Sequence, residues 1–123
     1  MRIANQSLQT TATSLGASAD LPAIWLGHIC NLSVQLVWTG SPVGSFKLQA
    51  SNDAGSPNAG NDPLLAQNVT NWTDIDGSAV SVSVAGNIMW NYQNCGYNFI
   101  RVVWTRTSGT GSLTVARINT KGV

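Results

Sequence analysis

The chain has 123 residues, of which six are basic and five acidic, and its formal net charge is +1 at pH 7. A chain of this length is expected to form one domain that buries roughly two-thirds of the surface exposed by the unfolded chain. The basic residues form no run, which argues against a nucleic-acid partner, because that binding needs several clustered phosphate contacts. Since only 9% of the residues are charged, Ser, Thr, Asn and Gln must supply the polar surface, which suits a subunit of an assembly. The alternative is a compact extracellular binding module.

The N-terminal segment lacks the apolar core of a secretory signal, and no window approaches the roughly 18 apolar residues of a transmembrane helix. We therefore expect synthesis in the cytoplasm without a signal peptide, and no membrane partner. The pattern of residues 1–16 predicts one or two polar strands with a turn at residues 10–13. This segment is a candidate N-terminal arm or strand used in assembly. Residues 17–20 predict a linker, and residues 21–26 form a strand only if Pro22 lies at its start or at a sheet edge.

Two strands with one dry face are predicted next. Apolar and polar residues alternate from Cys30 to Trp38 with the one exception of Val37, and the same period of two recurs at residues 45–51. The intervening residues 39–44 include two glycines and a proline, which favour a turn. We therefore predict a β-hairpin here.

A long surface loop is predicted at residues 52–63, which contain no large apolar side chain. Loops of this length in compact domains are usually functional or mobile. Leu64 and Leu65 are then expected to re-enter the fold, with a short turn of helix as one form they can take.

The stretch around which we expect the chain to pack lies at residues 97–118. Short strands are predicted before it at residues 69–75, 80–84 and 88–92. Its two arms are rich in Val, Ile, Thr and aromatic residues, and Ser108-Gly109-Thr110-Gly111 between them predicts a second β-hairpin.

The first arm of this stretch carries apolar side chains on both faces. Ile100, Val102 and Trp104 point one way, whereas Phe99 and Val103 point the other way. This pattern is typical of a central strand that is covered on two sides.

About eight strands at spacings of roughly 8 to 12 residues, without a convincing amphipathic helix, indicate the fold class. We predict an all-β protein, a single-domain antiparallel β-sandwich of jelly-roll-like form that spans residues 1–123. Residues 119–123 are expected to be a short tail.

The sequence shows no catalytic or metal-binding set. His28 is the only histidine, and no nucleophile motif lies near it. Asp74 and Asp76 fit an Asx turn, with a weak calcium site as the alternative. We therefore predict that the protein is not an enzyme and has no cofactor.

Cysteine and tryptophan residues leave two questions open. Cys30 and Cys95 are expected to be reduced and buried, with one disulfide between adjacent strands as the alternative. Most of the five tryptophans are expected in the core, where each indole N–H needs a partner. An exposed subset would instead indicate sugar stacking or an anchor between subunits.

Three stretches carry a resemblance: residues 46–53 (FKLQASND), residues 72–75 (WTDI) and residues 97–113 (YNFIRVVWTRTSGTGSL). This series resembles small all-β virion proteins of tailed bacteriophages, of the capsid decoration (cement) or fibre-associated type. The same order of strands is also similar to discoidin-like carbohydrate-binding sandwiches, which bind through loops at one end.

The first resemblance implies a virion structural protein that binds the capsid surface as a symmetric dimer or trimer and bridges shell subunits. Its partners would be the major capsid protein or other virion proteins, and its location the surface of the capsid or tail. The alternative is a glycan-binding or adhesion module of a tail or fibre, with a host-surface glycan as ligand. The residues expected to contact a partner, from the N-terminal segment and the long loop, are Arg2, Ile3, Asn5, Leu8, Asn52, Asp53, Asn58 and Asn61.

Overall fold

A computed structural model of the protein describes residues 3–26, 29–53 and 69–122. Within these ranges the chain forms eleven strands and no helix. The strands are β1 (Ile3–Ser7), β2 (Thr13–Ser14), β3 (Ala19–Asp20), β4 (Ile24–Trp25), β5 (Ile29–Gly40), β6 (Val43–Ser51), β7 (Thr73–Asp74), β8 (Val80–Val82), β9 (Gly86–Tyr92), β10 (Phe99–Ser108) and β11 (Gly111–Gly122). No helix capable of crossing a bilayer occurs in the part of the chain so described.

The strands form two antiparallel sheets. Sheet A has the order β1-β11-β5-β9, with β2 also paired to β11. Sheet B has the order β3-β10-β6-β7, with β4 also on β10 and β8 also on β6. The predicted all-β antiparallel sandwich is therefore confirmed. The strand count exceeds the predicted eight because β2, β3, β4 and β7 are two residues long, too short for a periodic pattern to show.

The main core lies between the sheets and is built from the alternating side chains of β5 and β6. Leu32, Val34 and Leu36 of β5 are buried, as are Phe46 and Leu48 of β6. This burial confirms the dry faces that the alternation predicted for both strands.

Three tryptophans lie in this core, and each indole N–H has a partner. Trp38 donates to the carbonyl of Val84 at 2.8 Å, and Trp90 donates to that of Ser78 at 2.9 Å. Trp104 donates to the carbonyl of Leu15 at 3.2 Å. Each tryptophan thus fixes a neighbouring loop or strand end to the core, because a buried N–H without an acceptor is costly.

Strand β10 is covered on both faces, as predicted. Ile100, Val102 and Trp104 point into the main core. Phe99 points outward and forms a second, smaller cluster with Val69, against which the partly buried Ala23, Trp25 and Trp72 pack.

The two predicted hairpins are wrong, because the strands on either side of each turn belong to different sheets. β5 pairs with β9 and β11 in sheet A, whereas β6 pairs with β7, β8 and β10 in sheet B. β10 and β11 likewise belong to different sheets. Both turns therefore carry the chain from one sheet to the other. The prediction of a turn at each of these two positions was correct. However, Gly, Pro and Ser residues indicate a turn without specifying whether the strands on either side of it pair with each other.

The two crossovers lie side by side at one end of the sandwich. Gly40, at the end of β5, lies opposite Gly111, at the start of β11. The backbone N–H of Ser41 donates to the carbonyl of Thr110 at 3.0 Å, so one crossover is hydrogen-bonded to the other.

Other boundaries also differ from the prediction. Residues 119–122 are not a tail, because they continue β11 and pair with β1 and β5. Residues 19–20 form β3 rather than a linker, and the strand expected at residues 69–75 is reduced to β7. Residues 54–63 of the predicted loop, together with Leu64 and Leu65, lie outside the described residues.

Candidate functional site

The predicted assembly strand is present as β1, at one edge of sheet A. It pairs with β11 from Ile3↔Lys121 to Ser7↔Arg117, and no other described strand lies against it. Its residues are uncharged, and Asn5, Gln6 and Ser7 are exposed. Within the described ranges the outer edge of β1 is therefore a row of unpaired backbone groups, which is the requirement for strand addition.

The side chain of Asn5 lies on the outer face of sheet A and is held there. Its amide nitrogen donates to the side-chain oxygen of Asn119, and Nε of Arg117 donates to its Oδ1 at 3.2 Å. Asn119 in turn lies opposite Ser33 of β5, which lies opposite Asn91 of β9. A row of amide and hydroxyl side chains thus crosses the whole outer face of sheet A.

Leu8 is not a contact residue, contrary to the prediction. Only 4% of it is exposed, it belongs to the main core, and its N–H donates to the carbonyl of Ala116 at 2.7 Å. The surface that β1 can offer a partner therefore ends at Ser7. Arg2 lies outside the described residues.

The second predicted contact region begins at the end of β6, where Asp53 organises the neighbouring chain. Its Oδ2 accepts hydrogen bonds from the backbone N–H groups of Thr70 and Asn71, both at 2.9 Å. The side-chain amide of Asn71 donates to Oδ1 at 3.0 Å. These bonds hold the pKa of Asp53 below its usual value, the side-chain bond from Asn71 contributing most.

Asp53 is thus a structural anchor, whereas Asn52 beside it is exposed. Asn58 and Asn61 lie outside the described residues.

Because both crossovers lie at one end of the sandwich, the start of β1 and the end of β6 lie at the other end. Ile3 and Asn5 of β1 therefore lie toward the same end of the molecule as Asn52 and Asp53, which follow β6 of the other sheet.

A cleft of about 530 Å³ opens beside Asp53 at this end. Among the described residues its lining has no basic side chain and three carboxylates, Asp53, Asp74 and Asp76, together with the aromatic ring of Tyr97. Asp74 is engaged by Gln49 at 2.8 Å and by Lys47 at 3.1 Å. The hydrogen bond from Gln49, followed by that from Lys47, lowers the pKa of Asp74. The cleft therefore stays anionic at neutral pH.

The outer face of sheet B carries a second polar network, centred on Arg101. Its guanidinium bonds Gln49 through Nε at 2.9 Å and faces Asp20 at 3.5 Å. It also lies 4.3 Å from the ring centre of Trp72, within cation–π range. Trp72 and Trp25 are only partly buried, so they are the tryptophans nearest to the exposed subset considered from the sequence.

A third feature, which the sequence analysis missed, is strand β9 at the opposite edge of sheet A. It pairs with β5 alone among the described strands, and Met89 in its centre is 61% exposed. Val84, just before β9, is 66% exposed. The predicted strand at residues 88–92 was correct, but the sequence alone could not show that it lies at an edge.

The remaining candidates for catalysis or metal binding are few. Within the described ranges no cluster of three or more His, Cys, Asp or Glu side chains is arranged to hold a metal ion. Asp76 and Gly77 lie in a turn closed by the N–H of Ser78 on the carbonyl of Ile75 at 3.1 Å. Cys95 is partly buried against the main core, while His28 and the side chain of Cys30 lie outside the described part, so their predicted roles stay predictions.

Comparison with known proteins identifies the fold. No family model and no curated protein matches the sequence. The SPBc2 prophage-derived protein YomS shares the fold with 15% identity and a TM-score of 0.56, over 98% of this chain and 94% of its own. Chitosan-binding module 1 of a chitosanase/glucanase from Paenibacillus sp. IK-5 does so with 20% identity and a TM-score of 0.54, over 95% and 92%.

A chain in the structure of infectious bursal disease virus, Gt strain, matches with 11% identity and a TM-score of 0.50. That match covers 98% of this chain and 32% of the viral one. At these identities the similarities show a common β-sandwich, and the function must be argued from the surfaces described above.

Proposed function

We propose that the chain is a non-catalytic structural protein of a bacteriophage particle, a capsid decoration subunit that binds the shell surface and bridges its subunits. The open outer edge of β1 carries this proposal. The backbone N–H and C=O groups on this edge, which no other described strand pairs, can add to a sheet edge of the major capsid protein or of another virion protein.

The surface of β1 suits such a contact. The strand has no charged residue, so pairing with a neighbouring chain would desolvate no ion. The exposed side chains of Asn5, Gln6 and Ser7 can hydrogen-bond at the rim of an interface. The low charge of the whole chain supports the same role, because a weakly charged surface repels its neighbours little.

The comparison with YomS supports the proposal at the level of fold. The two chains correspond over nearly their full lengths, so the sandwich makes up almost all of that prophage-derived chain. The proposed location is the virion surface, after synthesis in the host cytoplasm.

The proposal is tested by assembling phage particles in the presence of the tagged full chain and separating them on a density gradient. We expect the chain to migrate with the particles. A variant lacking residues 1–6 should fold, because it keeps Leu8 in the core, yet remain with the free protein. Thr105→Ala, on the outer face of sheet B, is the control and should bind like the native chain. Particle binding by the truncated variant would contradict the role of β1, and absence of the full chain from particles would contradict the proposed function.

A second candidate function, glycan binding, is favoured by the cleft beside Asp53. Three carboxylates and the ring of Tyr97 line it, and acidic groups beside an aromatic ring suit a cationic amino sugar. The fold similarity to a chitosan-binding module is compatible with this candidate. Asp76 is the carboxylate most available to a ligand, because no hydrogen bond or ion pair to another described residue engages it.

Calorimetric titration with chitosan oligosaccharides tests this candidate. We expect binding that Asp76→Asn or Tyr97→Ala weakens about tenfold or more, because each removes a charge-assisted or aromatic contact. Asp20→Asn, outside the cleft, is the control. Equal binding of neutral chitin oligosaccharides, or no binding at all, would remove the amino sugar from consideration.

A further inference from the structure

Strand β9 is an edge beyond which no other described strand lies. It runs Gly-Asn-Ile-Met-Trp-Asn-Tyr, seven residues with no charge and no proline. Its register with β5 is continuous from Leu32↔Tyr92 to Trp38↔Gly86, whereas the pairing of β5 with β11 is interrupted by two shifts. Natural sheet edges are usually protected by charges, prolines, bulges or shortness, and β9 has none of these devices. Such an edge is suited to pairing with another strand.

From Asn87 to Asn91 the pattern of polar and apolar residues in β9 is symmetric about the central residue. On the outer face of sheet A, Met89 is flanked by Asn87 and Asn91, each two residues away. On the inner face, Ile88 and Trp90 flank the same centre. When two such strands run antiparallel with Met89 at the axis, each asparagine faces an asparagine and the apolar Ile88 faces the apolar Trp90.

We infer that two copies of the chain pair β9 with β9 antiparallel, about a two-fold axis at Met89, to form a dimer with one continuous sheet. The two Met89 side chains then cover each other, and Asn87 of each copy lies opposite Asn91 of its partner, where the amides can exchange hydrogen bonds. No charge is desolvated, because neither strand carries one.

The self-complementary pattern favours a second β9 as the partner of β9, rather than β1, which forms the other edge of sheet A. Pairing β9 with β1 of a neighbour would bring the apolar Met89 against a strand whose exposed side chains are polar. It would also be a head-to-tail contact, which continues into a filament unless the rotation closes a ring. Antiparallel pairing of β9 with itself closes after two copies.

This inference rests on the proposed assembly role and names one of its partners. Its test uses the purified full chain without particles, so dimerisation and particle binding are read separately. Sedimentation velocity of the native protein over a wide concentration range should show a monomer–dimer equilibrium. A protein that stays monomeric throughout, or that grows beyond the dimer, would overturn the inference.

Paired charge substitutions test the register. In Asn87→Lys/Asn91→Lys, lysine faces lysine twice across the axis, whereas in Asn87→Lys/Asn91→Asp, lysine faces aspartate twice. We expect the dissociation constant of the dimer to differ about tenfold between these variants, the lysine–aspartate variant being the tighter. Thr70→Lys/Thr105→Lys adds the same charge as the double lysine at exposed sites elsewhere and should dimerise like the native chain. Equal dissociation constants for the two charge variants would exclude this register.

Crosslinking supplies a measurement that does not depend on the charge variants folding. Residues opposite each other in an antiparallel pair have Cα atoms about 4.5–5.5 Å apart, within the range of a disulfide. Met89→Cys should therefore oxidise to a covalent dimer in excess of any formed by the native chain. Ser81→Cys, exposed on sheet B, should not. Equal crosslinking of the two variants would contradict the proposed axis.

Discussion

At the scale of single residues, Asp53 shows how one side chain can join two segments that sequence patterns do not connect. Its carboxylate accepts bonds from Thr70 and Asn71, 17 and 18 residues further along the chain. The side chain of Asn98 also donates to its backbone carbonyl. The sequence placed Asp53 in a contact surface because the residue follows a strand and opens a polar stretch. The bonds show that its carboxylate stabilises the folded chain.

The lowered pKa of Asp53 predicts a pH dependence of stability. A carboxyl group whose pKa is lower when folded stabilises the protein above its ordinary value of 3.8, and this stabilisation is lost as pH falls through the folded-state pKa. We expect urea midpoints to fall below about pH 4 and Asp53→Asn to make that fall shallower. Thr105→Ala, at an exposed site on sheet B, should keep the native slope. An unchanged slope in Asp53→Asn would show that its bonds do not form in solution.

At the scale of elements, the turns at residues 39–44 and 108–111 explain what the sequence could and could not predict. Alternation in β5 and β6 correctly predicted two strands with one buried face each. However, a strand in a hairpin and a strand in an inter-sheet crossover both bury one face, so the pattern is the same in either case. Pairing was decided by contacts such as Gly40↔Gly111 and Ser51↔Phe99, between residues far apart in sequence.

The contact between the two crossovers predicts different effects for two glycines with similar backbone angles. Gly109 has φ of 72° and Gly77 has φ of 76°. A Cβ on Gly109 would lie 2.2 Å from the carbonyl oxygen of Ser41, whereas one on Gly77 would meet nothing within 4 Å. Gly77→Ala should therefore cost only the left-handed backbone penalty of about 1–2 kcal/mol.

Gly109→Ala carries the same backbone penalty and should cost a further ~1–3 kcal/mol, because one crossover must move away from the other. Urea unfolding of the two variants measures the difference. Equal losses of stability would mean that the crossovers do not touch in solution.

At the scale of the whole molecule, the sandwich was predictable because its central strands carry strong periodic signals, while its borders were not. The apolar residues of β10 on both faces correctly indicated a strand covered on two sides. Edge positions depend on which strands lack neighbours, and this is a property of the assembled sheet. For that reason β9 was recognised as a strand but not as an edge, and Leu8 was assigned to the surface although it lies in the core.

Because β1 and β9 lie at opposite edges of one sheet, the inferred dimer has a defined distance between its two β1 strands. In the inferred dimer the order across the joined sheet runs from β1 to β9, over the axis, and back to β1 of the second copy, which makes eight strands on this path. Neighbouring strands are spaced by about 4.8 Å, so the two β1 edges lie about 34 Å apart. The dimer would then present two β1 strands, each able to bind a partner, at a fixed separation. A particle whose binding sites lie at a different separation would contact only one of the two β1 strands. The affinity of the dimer for a particle would therefore depend on the spacing of the sites on the particle surface.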